Sequence, residues 1–307
     1  MKDLTFGTAV DGYLIFAESR KSPHTIADYS NTFRKFASFS GADTLIKAIQ
    51  PSDIDLFLQE QDEVSQKTKL NYHTGLSALW DWMKSQHLVN ENLIREVEAP
   101  HPEHREIHPF TDQDVKLIMA SIHSTKPYYF KGHSDVKRSL PEEKRTRAML
   151  LIMLDTGLRV SELCDLKIKD CDLRNHQIRA FGKGSKERYI PFSPVTGQAI
   201  WIYLNTRETT NVNLSLLATE FGRKLDRHNI RHICERIGER AGVLNCHPHI
   251  FRHTFAITYL RNGGDIFTLQ KILGHSTLDM VKQYLSIATT DVAAAHRNAS
   301  PVMNWGL

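Results

Sequence analysis

Between residues 249 and 284 the chain reads HIFRHTFAITYLRNGGDIFTLQKILGHSTLDMVKQY, and four side chains in it suit work on a phosphate ester: His249, Arg252, His275 and Tyr284. Cleaving a phosphodiester without a metal needs a nucleophile, positive charge on the non-bridging oxygens and a proton for the leaving oxygen. Arginine fits the second task because its planar fork makes paired, charge-assisted hydrogen bonds and keeps its proton. Imidazole titrates near neutrality and can move a proton. A phenol can be the nucleophile.

These side chains act together only if the local elements gather them. Phe251, Phe255 and Tyr259 recur at four-residue steps, so a helix starting near His249 buries that side. His249 and Arg252, three residues apart, share another side. Asn262-Gly263-Gly264 supplies glycines that can stop the helix. A second helix is expected over Asp265 to Leu273, ended by Gly274, and Ser276 with Asp279 is a capping-box pattern that opens a third. His275 then lies beside a helix N-terminus, where free N–H groups favour an anion. Tyr284 lies about 12 Å along that helix, and its side chain leans back toward the same anion.

HxxRH, LGH and the following tyrosine resemble the C-terminal half of the active site of the tyrosine recombinase (phage integrase) family, in the two-domain layout of its Xer-type members. The resemblance extends to an arginine box, TGLRVSEL at 156–163, and to a turn lysine in FGKGSKER at 181–188. It covers residues 109–290 well and the first hundred residues by general character. It implies that Arg159 and Arg252 clamp the phosphate and that Tyr284 attacks it, leaving a 3′-phosphotyrosine and a free 5′-hydroxyl. Lys183 would protonate the departing oxygen, with Lys186 as the rival. His249 would shuttle a proton, His275 would stabilise the phosphorane, Glu162 would orient its neighbours and His253 would serve packing. Met280-Val281 departs from the pair of threonines frequent before the family's tyrosine.

At 307 residues the chain has room for two domains. The net charge of +4 is uneven: residues 1–100 hold 10 Lys and Arg against 14 Asp and Glu, hence −4, and residues 101–307 hold 29 against 21, hence +8. A basic second half suits a polyanion such as nucleic acid. In the acidic first half, Lys67, Lys69 and Lys84 are either a DNA-gripping face or ordinary solvated helix surface, and Lys186 and Arg188 are further DNA-binding candidates. The four cysteines, at 164, 171, 234 and 246, make no C-x-x-C pair and read as free thiols of a reducing cytosol. No apolar run approaches the ~18 residues of a membrane helix, and no signal peptide is expected. Cytoplasmic location follows.

The pattern predicts a mainly α protein with a small β-sheet (α+β) in its catalytic domain. Helices are expected over residues 5–18, from Ser22-Pro23, near Ser52 and near Ser65, making an N-terminal four-helix domain over 1–99. By resemblance this is the core-DNA-binding domain. Three prolines and no apolar period make 100–108 a linker, so the two domains could clamp a duplex. The catalytic domain spans 109–290, with helices over 112–122, 146–155, 194–205 and 226–241 and a hairpin of 178–181 with 188–192 around the lysine turn. Residues 123–145, with Tyr128, Tyr129 and Phe130 among basic residues, read as an insertion that either touches DNA or has no role. The tail, 291–307, either docks on a neighbouring protomer or folds back.

The expected function is site-specific DNA recombination without metal, ATP or other cofactor. Its partners would be a double-stranded recombination site, three further copies of the chain in a homotetramer, and accessory bending or directionality factors. A type IB topoisomerase and a non-catalytic DNA-binding protein on the same scaffold are the alternatives. A zinc site from Cys246, His247, His249, His253 and His275 lacks both the H-E-x-x-H spacing and paired cysteines of standard sites.

Overall fold

The computed structural model describes residues 4–102, 107–123, 128–130, 133–136, 142–182, 187–207, 209, 211–275, 277–285, 296, 300, 302 and 305. The chain divides into two compact units, residues 1–106 and 107–307.

The first unit is four helices: α1 (Phe6–Glu18), α2 (Pro23–Ser40), α3 (Pro51–Gln59) and α4 (Gln66–Ser85). Each begins where the sequence supplies a cap or a proline. The Thr5, Ser22 and Ser65 hydroxyls accept the N–H of Thr8, Thr25 and Thr68 at 3.3, 3.2 and 3.2 Å. Pro23 and Pro51 stand in the first turn of α2 and α3, where a missing N–H costs nothing. The apolar stripes meet in an aromatic centre of Phe6, Phe33, Phe36, Phe57 and Trp80, all at most 1% exposed. Phe36 and Phe57 pack edge to face at 5.2 Å. Two 3₁₀ turns, Ile46–Ala48 and Leu93–Glu96, were not legible as helix in the sequence because they hold one turn each.

The second unit opens with α5 (Asp112–Ala120), whose Thr111 and Asp114 form a reciprocal capping box. Within the expected insertion an antiparallel strand pair forms, β1 (Tyr128–Phe130) with β2 (His133–Val136). Next come α6 (Glu143–Thr156) and α7 (Val160–Asp165), then a three-stranded antiparallel sheet ordered β3 (Cys171–Asp172), β4 (Gln177–Phe181), β5 (Glu187–Pro191). Alternation along the sheet buries Ile178, Ala180 and Ile190 on one face. The chain continues through α8 (Pro194–Leu204), α9 (Arg227–Ala241), α10 (Pro248–Arg261), α11 (Ile266–Leu273) and α12 (Asp279–Leu285). Helix α6 is the centre of the core. Its Ala148, Met149, Leu150, Ile152 and Met153 are all but fully buried, and α8 and α10 pack against it. A smaller cluster joins α10, α11 and α12 through Ile257, Leu260, Leu269, Leu273, Val281 and Tyr284.

The pairing of Phe181 with Glu187 closes the β4–β5 hairpin at residues 182–186, where the lysine turn was expected. Lys183 and Lys186, the Ser276 cap, residues 103–106 of the linker and most of the tail lie outside the described residues. No described helix is long and apolar enough to cross a membrane.

Candidate active site

The site is built where α6 and α11 end and α7 and α10 begin. Helix α6 stops at Gly157, which takes φ +59°. A Cβ there would stand 2.4 Å from Cδ1 of Phe255 and 2.9 Å from Cδ2 of Leu273, so glycine is required for both its conformation and its size. Two residues on, Arg159 is the extended N-cap of α7. Its own N–H donates to Oε2 of Glu162 at 2.9 Å and its Nη1 to Oε1 at 3.1 Å. Its Nη2 reaches the Gly274 carbonyl at 3.2 Å. The guanidinium is thus laid across the turn after α11 while its side chain keeps 32% exposure, enough to receive a ligand.

Arg252 comes from α10 and is only 5% exposed. Its Nη1 donates to the Gly157 carbonyl at 2.5 Å and its Nη2 to the Leu273 carbonyl at 2.9 Å. Both acceptors are at helix C-terminal ends, where carbonyls lack intrahelical partners and a cation is favoured. Burial first, and the Arg159 charge second, push Arg252 down to about 10, so it stays charged at neutral pH.

Nη2 of Arg252 is also 2.7 Å from Nε2 of His275. Because an arginine can only donate, Nε2 must be the unprotonated nitrogen and the neutral ring carries its proton on Nδ1. That Nδ1 is buried and has no hydrogen-bond partner among the described residues. Burial, then the charges of Arg252, Arg159 and Arg188, push His275 down to about 4. The result is a neutral N–H donor without an acceptor beside two arginines, a combination suited to an anionic oxygen.

Tyr284 is 1% exposed. Its hydroxyl is 2.9 Å from Nδ1 of His253, a partner the sequence did not suggest, with the rings 5.6 Å apart. The pairing has a packing cause: Val281 and Tyr284 share the buried face of α12, and that face lies on α10. Burial raises the phenol above its usual range, opposed by the Arg252 charge. Burial, then His249 and Arg252, push His253 down to about 4, so the pair is neutral at pH 7. His253, assigned to packing, is therefore the direct partner of the phenol; the signal in the sequence is its place on the same helix turn as Arg252. His249 lies at the surface of the first turn of α10, its ring edge on to His247 at 6.3 Å. The surrounding protein first, then the Arg252 and Arg231 charges, hold it below the ordinary histidine range.

Arg188, expected at the DNA surface, is turned inward, its side chain 14% exposed. It donates from Nη1 and Nη2 to the two oxygens of Glu162, at 2.9 Å each, and from Nε to the Ile272 carbonyl at 2.8 Å. The alternation of β5, which puts residues 188 and 190 on one face, is the sequence signal for this placement. Glu162 is buried. Although burial favours its neutral form, hydrogen bonds from Arg188 and Arg159 win and hold it below the usual carboxylate range. Of the α4 lysines, Lys67 and Lys84 are exposed. Lys69 is not: its side chain is 13% exposed and its ammonium points at the Gln59 carbonyl, 3.5 Å away, because the residue sits on the inner flank of α4. Among the described residues no three His, Cys, Asp or Glu side chains converge as metal ligands do.

The model of the phage integrase family matches residues 109–290. The tyrosine recombinase XerC of Bacillus subtilis is 30% identical over 283 residues, covering 88% of this chain and 88% of that protein. Among solved structures, the Tn1549 transposon integrase in complex with a circular intermediate DNA aligns with a TM-score of 0.77 at 20% identity, over 96% of this chain and 99% of that one. The XerH site-specific recombinase bound to its difH substrate aligns with a TM-score of 0.66 at 25% identity, over 90% of this chain and 79% of that one. The fold is that of the two-domain tyrosine recombinases. With the family model spanning more than half of the sequence and the arginine box, HxxRH, LGH and tyrosine all in place, the chain belongs to the phage integrase family and is a tyrosine recombinase.

Proposed function

We propose that this recombinase cuts and rejoins double-stranded DNA at a specific site through a covalent 3′-phosphotyrosyl bond to Tyr284. The observation that carries the reading is the convergence of Arg159, Arg252 and the unsatisfied Nδ1 of His275 on the single turn Leu273–His275. Three donors fixed before substrate arrives are what a phosphorane needs, since they cost no reorganisation as charge develops. The phenolate oxygen forms a bond to phosphorus, the P–O5′ bond breaks, and the leaving 5′ oxygen takes a proton from Lys183. His249 accepts the phenol proton. Because the phosphotyrosine conserves the ester energy, attack by a 5′-hydroxyl of a second strand reseals the DNA without ATP, and the scheme has no step for a metal.

A residue 1% exposed admits no phosphate to the roughly 3–3.5 Å of a near-attack geometry. For Tyr284 to reach a phosphate, its bond to His253 has to open and its hydroxyl has to become accessible. The four-helix unit is read as the core-binding domain, with Lys67 and Lys84 toward the backbone and residues 100–108 as the link. Four copies on paired sites, tail exchange between them, accessory factors and a cytoplasmic setting complete the reading. Neither a topoisomerase nor a non-catalytic binder is favoured, since the relatives sharing most of the chain are recombinases.

The test begins with nicked duplexes drawn from a randomised pool and captured as SDS-resistant, protease-sensitive adducts. The wild-type chain is expected to enrich one sequence, to do so with chelator present, and to lose the adduct as Tyr284→Phe. An undiminished Tyr284→Phe adduct, or cleavage abolished by chelator, contradicts the reading.

A further inference from the structure

We infer that Arg188 is a positioning residue whose charge keeps Glu162 from capturing Arg159, leaving the Arg159 guanidinium available to the DNA phosphate. The inference rests on the reading of Arg159 as part of the phosphate clamp.

A carboxylate accepts about four hydrogen bonds, and Glu162 receives four N–H groups: the Arg159 backbone, Arg159 Nη1, and Nη1 and Nη2 of Arg188. The two arginines are not held equally. Arg188 presents its fork to both oxygens at 2.9 Å, the bidentate geometry that makes the stronger pair. Arg159 contributes one guanidinium nitrogen at the longer distance of 3.1 Å and sends Nη2 elsewhere, to Gly274. The side-chain exposures follow the same order: 5% for Glu162, 14% for Arg188 and 32% for Arg159. The buried carboxylate is therefore committed to the buried arginine, and the exposed arginine is free to meet a ligand.

Charge counting gives the consequence. Glu162 with Arg159 and Arg188 carries +1; without Arg188 it carries zero. A buried carboxylate that lost its fork would have two open lone-pair positions and one cation within reach, and Arg159 would rotate onto it. The phosphate would then face Arg252 and His275 without the second arginine. The turn after α11 is shaped for this arrangement. Nε of Arg188 holds the Ile272 carbonyl, and a Cβ at Gly274 would stand 2.9 Å from Cζ and Nη1 of Arg188, so the glycine makes room for the guanidinium. Arg188 reaches the carbonyl chain that also serves Arg159 and Arg252, yet it spends its donors inside the protein and has no fork left for DNA.

The experiment compares covalent cleavage of the captured duplex with a phosphodiester or a neutral methylphosphonate at the scissile position. Arg188→Met is expected to slow phosphodiester cleavage by about a hundredfold, on the scale of losing one oxyanion contact, and to slow the methylphosphonate less, because an uncharged centre needs less positive charge. The rate ratio of the two substrates, taken on one preparation, is independent of the fraction of folded protein. Adding Glu162→Gln to Arg188→Met restores +1 and is expected to recover most of the lost rate, whereas a merely structural role predicts a double variant at least as poor as the single one. An unchanged ratio, or a double variant no faster than Arg188→Met, overturns the inference. Arg159→Met separates the two levels. If it cleaves like the wild type, the clamp reading fails; if it is inactive while Arg188→Met is normal, only the role of Arg188 fails.

Discussion

Replacing Arg252 with methionine deletes the guanidinium and keeps an unbranched stem, so it isolates what the buried charge does. Three acceptors lose their donor: the Gly157 and Leu273 carbonyls and Nε2 of His275. Each unsatisfied buried acceptor costs about 1–3 kcal/mol, hence about 6 kcal/mol in all. Against this stands the cost of burying the cation, which the fall from 12.5 to about 10 puts at about 3 kcal/mol. The net loss is about 3 kcal/mol, and for a unit of this size a kcal/mol moves Tm by about 2–4 °C, so Tm should drop by roughly 6–12 °C. Cleavage should fall by at least about a hundredfold, since one of the phosphate donors is gone. A third readout is local. The Arg252 charge depresses His275, so the variant should raise its pKa from about 4 toward the ordinary value, as followed by the imidazole proton shifts in an NMR titration. A variant that melts with the wild type and leaves His275 unmoved would refute the assignment of Arg252 as the staple between α6, α11 and the histidine.

Gly157→Ala places a methyl group in the left-handed region and into the Phe255 ring; it should cost more than about 2 kcal/mol, read as a lower urea midpoint, and an unchanged midpoint would show that the end of α6 tolerates a side chain. His253 and His275, both near 4 in the fold and about 6.5 unfolded, bind protons more readily in the unfolded chain. The histidine contribution should be complete by about pH 7 and stability should fall as the pH drops from about 6.5 toward 4; equal urea midpoints at neutral pH and in that acid window would contradict both placements. Tyr284→Phe removes the hydroxyl's bonds to His253 and Gln283 and should cost about 1–3 kcal/mol, so circular dichroism should show a folded, inactive protein.

Much of this was legible in the residues because local chemistry and tertiary role agreed. Thr5, Ser22, Ser65 and Thr111 cap helices where the apolar period begins, and Gly157 and Gly274 end α6 and α11 with positive φ. The expected helices over 112–122, 194–205 and 226–241 appear within two residues of their bounds. The misses have different causes. The strands β1 and β2, Tyr-Tyr-Phe and His-Ser-Asp-Val, are short and lack apolar–polar alternation, so no period marks them. The inward turn of Arg188 pairs it with Glu162, 26 residues away in sequence, and no local pattern reports such a partner. That the Tyr284 hydroxyl meets His253 is set by the packing of α12 on α10, which axial rise along one helix does not report. Local rules place side chains on faces; contacts between faces come only with the assembled core.

The measurement that bears most directly on the account is the site of covalent attachment. Digesting the trapped adduct and fragmenting its peptides by mass spectrometry should place a 3′-linked nucleotide phosphate on the peptide that carries Tyr284, with a free 5′-hydroxyl on the released strand. A phosphate on any other residue, or a 5′ linkage, would contradict the assignment of the phenol as nucleophile and of the arginine and histidine donors as its phosphate clamp.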